Sequence, residues 1–460
     1  MARLFGTNGV RGVVNQDMNS ELALNLGKAI GTYYAKKKER PFIAIGTDAR
    51  ISNHMLKSAC ISGLLSVGCD VEDLGILPTP TLQYAVKEKN YDAGVIITAS
   101  HNPPQFNGIK VVDGDGTELA KEQEEEIEDI YFSKNFRIVS WDKVGQLSSW
   151  DGAIELYING ILSKVDVESI RSANLHVVLD CGNGAGGVVA PELLRRLGCK
   201  LTTINCELDG LFRGRPSEPI PENLGELMKK VKEVNADLGV AQDGDADRAI
   251  FIDENGNYVF GDQSLTMVAR YIVREKGGGT VVTPVSTSSA LEDVVTREGG
   301  KVVYTKVGSP IVARVMKKLG AVFGGEENGG LIFPEHQYCR DSAMTIAKVL
   351  EILSKEGKKL SEIIRELPRY ELVKLKTACP NEKKKEVLEK IKDIAKNENA
   401  RKIDETDGVK IYTDDGWVLV RPSGTEPIFR IFAESKKRKR AEELASRYKG
   451  YVERFATGTS

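Results

Sequence analysis

Apolar residues at Leu22, Leu26, Ile30 and Tyr33 recur every three or four positions behind Asn19 and Ser20. That spacing predicts an amphipathic helix capped by one of those two residues. The unbroken apolar run at 42–46 predicts a strand buried on both faces. Leu56, Cys60 and Leu64 predict a second helix stopping at Gly68. After the break Pro78-Thr79-Pro80 come a short helix and the strand 94–97. This succession reads as a parallel α/β unit.

The plan recurs twice. A second unit holds strands 175–179, 200–204 and 237–241, with helices starting near Pro191 and Glu222. A third holds helices from about Asp262 and Ser288 and one ending at Leu319, with strands 280–283, 301–304 and 321–323. The repeat is one of element order, since the letters themselves do not repeat. From about residue 367 the pattern changes to strands 409–413, 416–421 and 428–433 with flanking helices, an α+β domain. In each of the first three units the last strand enters a polar, glycine-containing loop: Thr98–Asn102, Asp243–Arg248 and Gly324–Gly330. Open α/β sheets bind ligands beyond the carboxyl ends of their strands, so these loops are the candidate sites.

Composition narrows the classes. The 460 residues suggest about three domains at ~150 residues each. Lys plus Arg total 64 against 66 Asp plus Glu, a formal net charge of -2, so no global positive field recruits nucleic acid. The first residues lack the apolar stretch of a signal peptide, and no apolar run reaches the ~20 residues of a membrane helix. The seven cysteines are odd in number and never form C-x-x-C, which speaks against a disulfide framework or zinc knuckle. A reducing cytoplasm is the expected setting.

Four loops carry candidate chemistry. Asp243, Asp245 and Asp247 stand at alternating positions, which in extended backbone share one side and converge on a hard divalent cation. Glu254 falls at the twelfth position of an EF-hand count, but Arg248 stands where that loop needs Gly, so that reading fails. Gly182, Gly184 and Gly187 match G-x-G-x-x-G after a strand, with Glu207 near the place of a ribose acid, the pattern of a dinucleotide-dependent oxidoreductase. Pro191 puts the helix start several residues too late for a pyrophosphate, so a close-packed turn is the stronger reading. Ser100 follows a buried strand beside His101; adjacent side chains in extended backbone point apart, so His101 is not automatically its base. Arg421-Pro422-Ser423-Gly424-Thr425-Glu426-Pro427 offers a guanidinium, hydroxyls and bared N–H groups to a phosphate dianion, with Arg430 beyond it.

Taken together, the motifs Thr98–Pro103, Asp243–Arg248, Gly324–Gly330 and Arg421–Pro427, in that order, resemble the α-D-phosphohexomutase superfamily, and the whole chain looks most like its archaeal branch. The resemblance implies three similar mixed α/β domains (1–150, 151–255 and 256–366) and a smaller α+β C-terminal domain (367–460) around a central cleft. It implies a phosphoserine at Ser100 and Mg²⁺ held by Ser100, Asp243, Asp245 and Asp247. Arg11, Lys110 and Arg248 would lie near the transferring group, and Lys306 would support substrate orientation. Glu326 and Asn328 would grip sugar hydroxyls, while Arg421, Ser423, Gly424, Thr425 and Arg430 would hold the non-reacting phosphate. The implied reaction interconverts hexose 6- and 1-phosphates through a sugar 1,6-bisphosphate, which also serves as activator; self-association is left open. Many relatives carry His where this chain has Gly330, so His101 or Lys110 becomes the candidate acid/base, the imidazole titrating nearer neutrality. The paired Glu326 and Glu327 suit an ammonium and tilt the reading toward glucosamine phosphate, with glucose and mannose phosphates as the alternative.

Overall fold

The computed structural model describes residues 4–6, 9–397, 400–424 and 426–457. The chain forms two compact units, Met1–Ser264 with Asn328–Arg365, and Leu265–Glu327 with Glu366–Ser460.

Six strands make the first sheet: β1 (Val10–Val13), β2 (Phe42–Thr47), β3 (Asp70–Ile76), β4 (Ala93–Ile97), β5 (Phe106–Asp113) and β6 (Leu147–Ser149). Their order is β1-β5-β4-β2-β3-β6. On β2, Ile43 and Ile45 pack with Leu26, Ile30, Leu56 and Leu64, whereas Ala44 packs with Leu82, Val86 and Ile96. Helices therefore cover both faces, which is why this strand is apolar at successive positions. The helix Ser20–Ala35 starts where the sequence places it: the Asn19 side chain accepts from Leu22 N at 2.9 Å.

The sheet is not wholly parallel. β2 pairs parallel with β3 and β4, but β5 runs antiparallel to β4 and to β1. The second sheet repeats the device with β7 (His176–Asp180), β8 (Lys200–Ile204), β9 (Leu238–Gln242), β10 (Ala249–Asp253) and β11 (Tyr258–Val259). β7 is parallel to β8 and β9, and β10 is antiparallel to β9. The Ser100 and Asp243 loops are thus the turns of antiparallel pairs β4–β5 and β9–β10, so each is tethered by ladder hydrogen bonds at both ends. The expected parallel unit gives way to a mixed sheet.

In the second unit, β12 (Gly279–Pro284) lies parallel between β13 (Gly300–Thr305) and β14 (Phe323–Gly325). The chain then returns to the first unit through β15 (Leu331–Ile332). The last domain is a five-stranded antiparallel sheet of β16 (Glu371–Ala378), β17 (Lys402–Asp404), β18 (Val409–Thr413), β19 (Gly416–Pro422) and β20 (Ile428–Ser435). Val420 and Ile431 pack there with Leu444, Tyr448 and Val452 of the helix Arg438–Thr457. Among the described residues, no helix is long and apolar enough to cross a membrane.

Candidate active site

Ser100 stands three residues past the end of β4, in the turn toward β5, and is fully buried, with φ at +51°. A non-glycine residue in left-handed backbone is uncommon, and such strain persists only where surroundings hold it. The holder is Arg50. Its guanidinium donates to Ser100 O at 2.9 Å, Asn102 O at 2.6 Å, Pro103 O at 2.7 Å and Phe106 O at 2.9 Å. Asp48 fixes that guanidinium through Nε at 3.0 Å and also accepts from the Thr98 hydroxyl at 2.6 Å. The left-handed turn also changes the expected divergence of neighbouring side chains: His101 Nδ1 lies 3.5 Å from Ser100 Oγ.

Ser100 Oγ donates to Asp243 Oδ2 at 2.9 Å, although 143 positions separate them. The aspartates meet by a different route from the extended pleat expected. Residues 243–248 form a turn, with Asp243 Oδ1 accepting from the N–H groups of Asp247 (3.1 Å) and Arg248 (3.2 Å), and with Ala246 at φ +54°. One oxygen from each of Asp243, Asp245 and Asp247 lies within 4.8 Å of the others, and all three residues are buried.

Three cations face the three carboxylates of this turn, but they do not bond every carboxylate oxygen. Lys110 donates to Asp245 Oδ2 at 2.7 Å, as does the Thr79 hydroxyl at 2.6 Å. Arg340 donates to Asp247 Oδ2 at 2.5 Å, and Arg248 Nε stands 3.9 Å from Asp243 and 3.7 Å from Asp247. Burial and the neighbouring Asp247 and Asp245 charges push the Asp243 carboxyl well above its ordinary range. Burial would raise Asp245 too, but Lys110 overcomes it and holds that carboxyl below its ordinary value. Asp245 Oδ1 and Asp247 Oδ1 are buried without a hydrogen-bond partner. Two orphaned carboxylate oxygens beside a third buried carboxyl suit a hard divalent cation, which takes oxygen ligands. The turn can bind a metal.

Arg11 and His101 complete the near surroundings. Arg11 Nη1 donates to Asn102 Oδ1 at 2.9 Å and Ala99 O at 3.3 Å. Burial, with the cations of Arg248 and Arg11, holds the His101 imidazole down at about 2, so it is neutral at ordinary pH.

The glycine motif also finds its place here. A Cβ on Gly184 would lie 2.6 Å from Gly244 O, and Ala185 N donates to that same oxygen at 3.0 Å. Gly182–Gly187 is a close-packed support for the aspartate turn. The next α-helix starts only at Ala190, with Pro191 in its first turn. Asn328 belongs to the same unit, its Oδ1 accepting from Gly330 N at 3.1 Å. A Cβ on Gly330 would sit 2.2 Å from Arg340 Cδ, so the arginine reaching Asp247 occupies the space a larger residue would need.

The second unit holds the remaining candidates. Lys306 is exposed, and Val307 N donates to Asp407 Oδ2 at 3.0 Å. The same Asp407 oxygen accepts from Arg421 Nε at 2.5 Å, tying the Lys306 segment to the last domain's loop. Ser423 is buried; Gly424 is exposed, with open space where a Cβ would stand. Arg430 is exposed and donates to Glu426 at 2.7 Å. Glu326 is buried. Burial would raise Glu327, but Lys374 at 3.5 Å outweighs it and holds this carboxyl below its ordinary value. Thr425 lies outside the described residues.

Three α/β domains and a C-terminal antiparallel domain, with a buried serine hydrogen-bonded to an aspartate turn, define a phosphohexomutase. Four consecutive stretches match phosphoglucomutase/phosphomannomutase domains: alpha/beta/alpha domain I over residues 2–138, domain II over 155–256, domain III over 260–370 and the C-terminal domain over 375–449. The chain belongs to the phosphoglucomutase/phosphomannomutase family, within the α-D-phosphohexomutase superfamily. It is 50% identical over 444 residues to a phosphoglucomutase/phosphomannomutase of Thermococcus kodakarensis, covering 96% of this chain and 97% of that one. It is 45% identical over 457 residues to a phosphoglucosamine/phosphogalactosamine mutase of Sulfurisphaera tokodaii, covering 98% and 100%. A crystal structure of a phosphoglucomutase/phosphomannomutase family protein from Burkholderia thailandensis superimposes with a TM-score of 0.90 at 25% identity, covering 99% of this chain and 98% of that one. The protein is an isomerase that interconverts hexose 6- and 1-phosphates; the dinucleotide oxidoreductase reading of Gly182, Gly184 and Gly187 is not supported.

Proposed function

We propose that Ser100 is the hydroxyl that carries the phosphoryl group, and that the sugar is a glucosamine phosphate. The observation that supports the first part is the 2.9 Å bond from Ser100 Oγ to the aspartate turn. Asp243, Asp245, Asp247 and the Ser100 oxygen would hold Mg²⁺, which when bound neutralises charge on the phosphoryl oxygens. Arg11, Lys110 and Arg248 surround the serine with fixed cations, as a transfer that depends on positioning and charge neutralisation requires. A hydroxyl of the sugar monophosphate attacks phosphorus, the bond to Ser100 Oγ breaks, and the serine oxygen is reprotonated. The resulting 1,6-bisphosphate turns over and returns its other phosphoryl group to Ser100.

His101 is the proton acceptor in this reading. Its pKa near 2 reflects burial and the surrounding cations, and an arriving phosphoryl dianion would raise it toward a useful range. Lys110, already paired with Asp245, serves as a cation. Lys306 orients the sugar, Glu326 and Asn328 bind its hydroxyls, and Arg421, Ser423, Gly424, Thr425 and Arg430 hold the phosphate that does not react. The four domains are assigned to 1–150, 151–255, 256–366 and 367–460, and the setting to the cytoplasm, with a 1,6-bisphosphate as activator.

A second substrate reading is favoured by one contact. Lys374 already balances Glu327, which lessens the acidity offered to an amino sugar, as glucose and mannose phosphates would prefer. A coupled assay of glucosamine, glucose and mannose 1-phosphates with Mg²⁺ and a trace of bisphosphate tests the choice. A kcat/KM for glucosamine 1-phosphate at least ~10-fold above the others is expected, a margin of about 1.4 kcal/mol; preference for glucose or mannose overturns it.

A further inference from the structure

Cys181 follows β7 and Cys206 follows β8, two strands that pair in parallel with Asp180 opposite Ile204. Their sulfur atoms lie 3.2 Å apart, closer than two sulfurs in van der Waals contact. Cys181 is buried and Cys206 partly exposed, so a small solute meets Cys206 first and finds a second thiol directly behind it. The hydrogen bond shared with Cys181 holds the Cys206 thiol below its ordinary value despite burial, whereas burial pushes Cys181 well up. An attacking thiol with more thiolate character and a resolving partner at contact distance make a redox-responsive pair.

We propose that Cys181 and Cys206 form a reversible oxidation site, converted by a small peroxide into an intramolecular disulfide. The Cys206 thiolate attacks one peroxide oxygen; the O–O bond breaks, hydroxide leaves, and Cys206 becomes a sulfenic acid. Cys181 gives up its proton and attacks that sulfur; the S–O bond breaks and water leaves as the S–S bond forms. The two thiols lose two electrons and two protons, and the peroxide becomes two waters.

The disulfide would pin a segment that already supports the aspartate turn. Between the two cysteines, Asn183 N donates to Asn205 O at 2.7 Å and Ala185 N to Gly244 O at 3.0 Å. A Cβ on Gly187 would stand 2.1 Å from Cys206 O, so the two ends of the segment are already closely packed. Bond formation needs only a short sulfur displacement, and closing this loop lowers the entropy of the unfolded chain. The inference does not depend on the mutase mechanism.

The test exposes the reduced, full-length protein to stoichiometric hydrogen peroxide, alkylates remaining thiols after denaturation and maps the peptides by mass spectrometry. The expected product joins the Cys181 and Cys206 peptides at a mass about 2 Da below their sum. Cys199, the other partly exposed thiol, stays alkylatable. The melting temperature rises by about 5 °C and returns on adding dithiothreitol; Cys206→Ser abolishes both changes. Cys181 and Cys206 still alkylated once Cys199 has been oxidised, or Cys206 carried to sulfinic acid with Cys181 free, overturns the proposal. The mapping on the unsubstituted chain decides this even if the variant folds poorly.

Discussion

The loop at Ser100 and the loop at Arg421 are both polar turns at strand ends, yet they are built in opposite ways. Ser100 and its three aspartates are wholly enclosed, and Arg50 holds the serine turn with four bonds to carbonyl oxygens. In the other loop Arg421 is half-buried, Gly424 and Arg430 are exposed, and the charges are paired locally with Asp407 and Glu426. The first spends packing on fixing one oxygen against one charge cluster, which suits chemistry that tolerates little misplacement. The second keeps donors exposed, which suits recognition of a phosphate that must bind and leave.

The largest effect tests the buried loop. Ser100→Ala should lower turnover by at least ~10⁴-fold, as removal of a nucleophile does elsewhere. Stability should change by only about 1 kcal/mol for the lost bond to Asp243. Steady-state kinetics and thermal unfolding measure both, and near-normal turnover in a folded variant would remove Ser100 from its role. Next comes Asp245→Asn, which withdraws charge from one orphaned oxygen of the turn. The Mg²⁺ concentration giving half-maximal activity should rise by about 10²-fold, at the upper end of what metal-site changes cost. A metal titration of activity that does not shift would contradict the cation site.

The exposed loop should respond in another variable. If Arg421 binds the substrate phosphate as proposed, Arg421→Ala should remove a charge-assisted contact of about 1.5–3 kcal/mol. KM should rise by about 10–100-fold while kcat moves far less, because this contact is made equally in ground and transition states. A fall in kcat at constant KM would mean that the two loops are not divided as their burial suggests.

The sequence makes part of this division legible. Strand β2, a helix cap at Asn19 or Ser20 and the three polar loops all follow from periodicity and from where apolar runs stop. What it hides is long-range or conformational. Nothing local announces that Arg50 braces Ser100, that Thr79 bonds to Asp245, or that Arg340 reaches Asp247. Asp48-Ala49-Arg50 does sit at the carboxyl end of β2, so the rule about strand ends would have put it among the candidates. The left-handed turn at Ser100 has no such signal, because serine seldom adopts it and no glycine marks the place. That turn is why pleat geometry set Ser100 and His101 apart when they are neighbours; the three aspartates do converge as expected, through a bend rather than a pleat.

The smallest effect sharpens the comparison most cleanly, because it makes the same change against the Ser100 turn and within the Arg421 loop. A Cβ on Gly244 would meet Ser100 O at 2.5 Å, a backbone atom to which Arg50 also donates. Gly244→Ala must therefore displace the serine turn, costing about 1–3 kcal/mol of stability and lowering kcat with it. Gly424 has nothing within 4 Å of a built Cβ. Gly424→Ala should leave stability within about 0.5 kcal/mol, and KM should change less than about threefold, since an added methyl leaves the backbone N–H in place. Thermal unfolding and kinetics on the two variants read out whether backbone room is restricted at one loop and open at the other. Equal tolerance at both positions would mean that the tight packing around Ser100 does not constrain its chemistry, and the contrast between the loops would lose its physical basis.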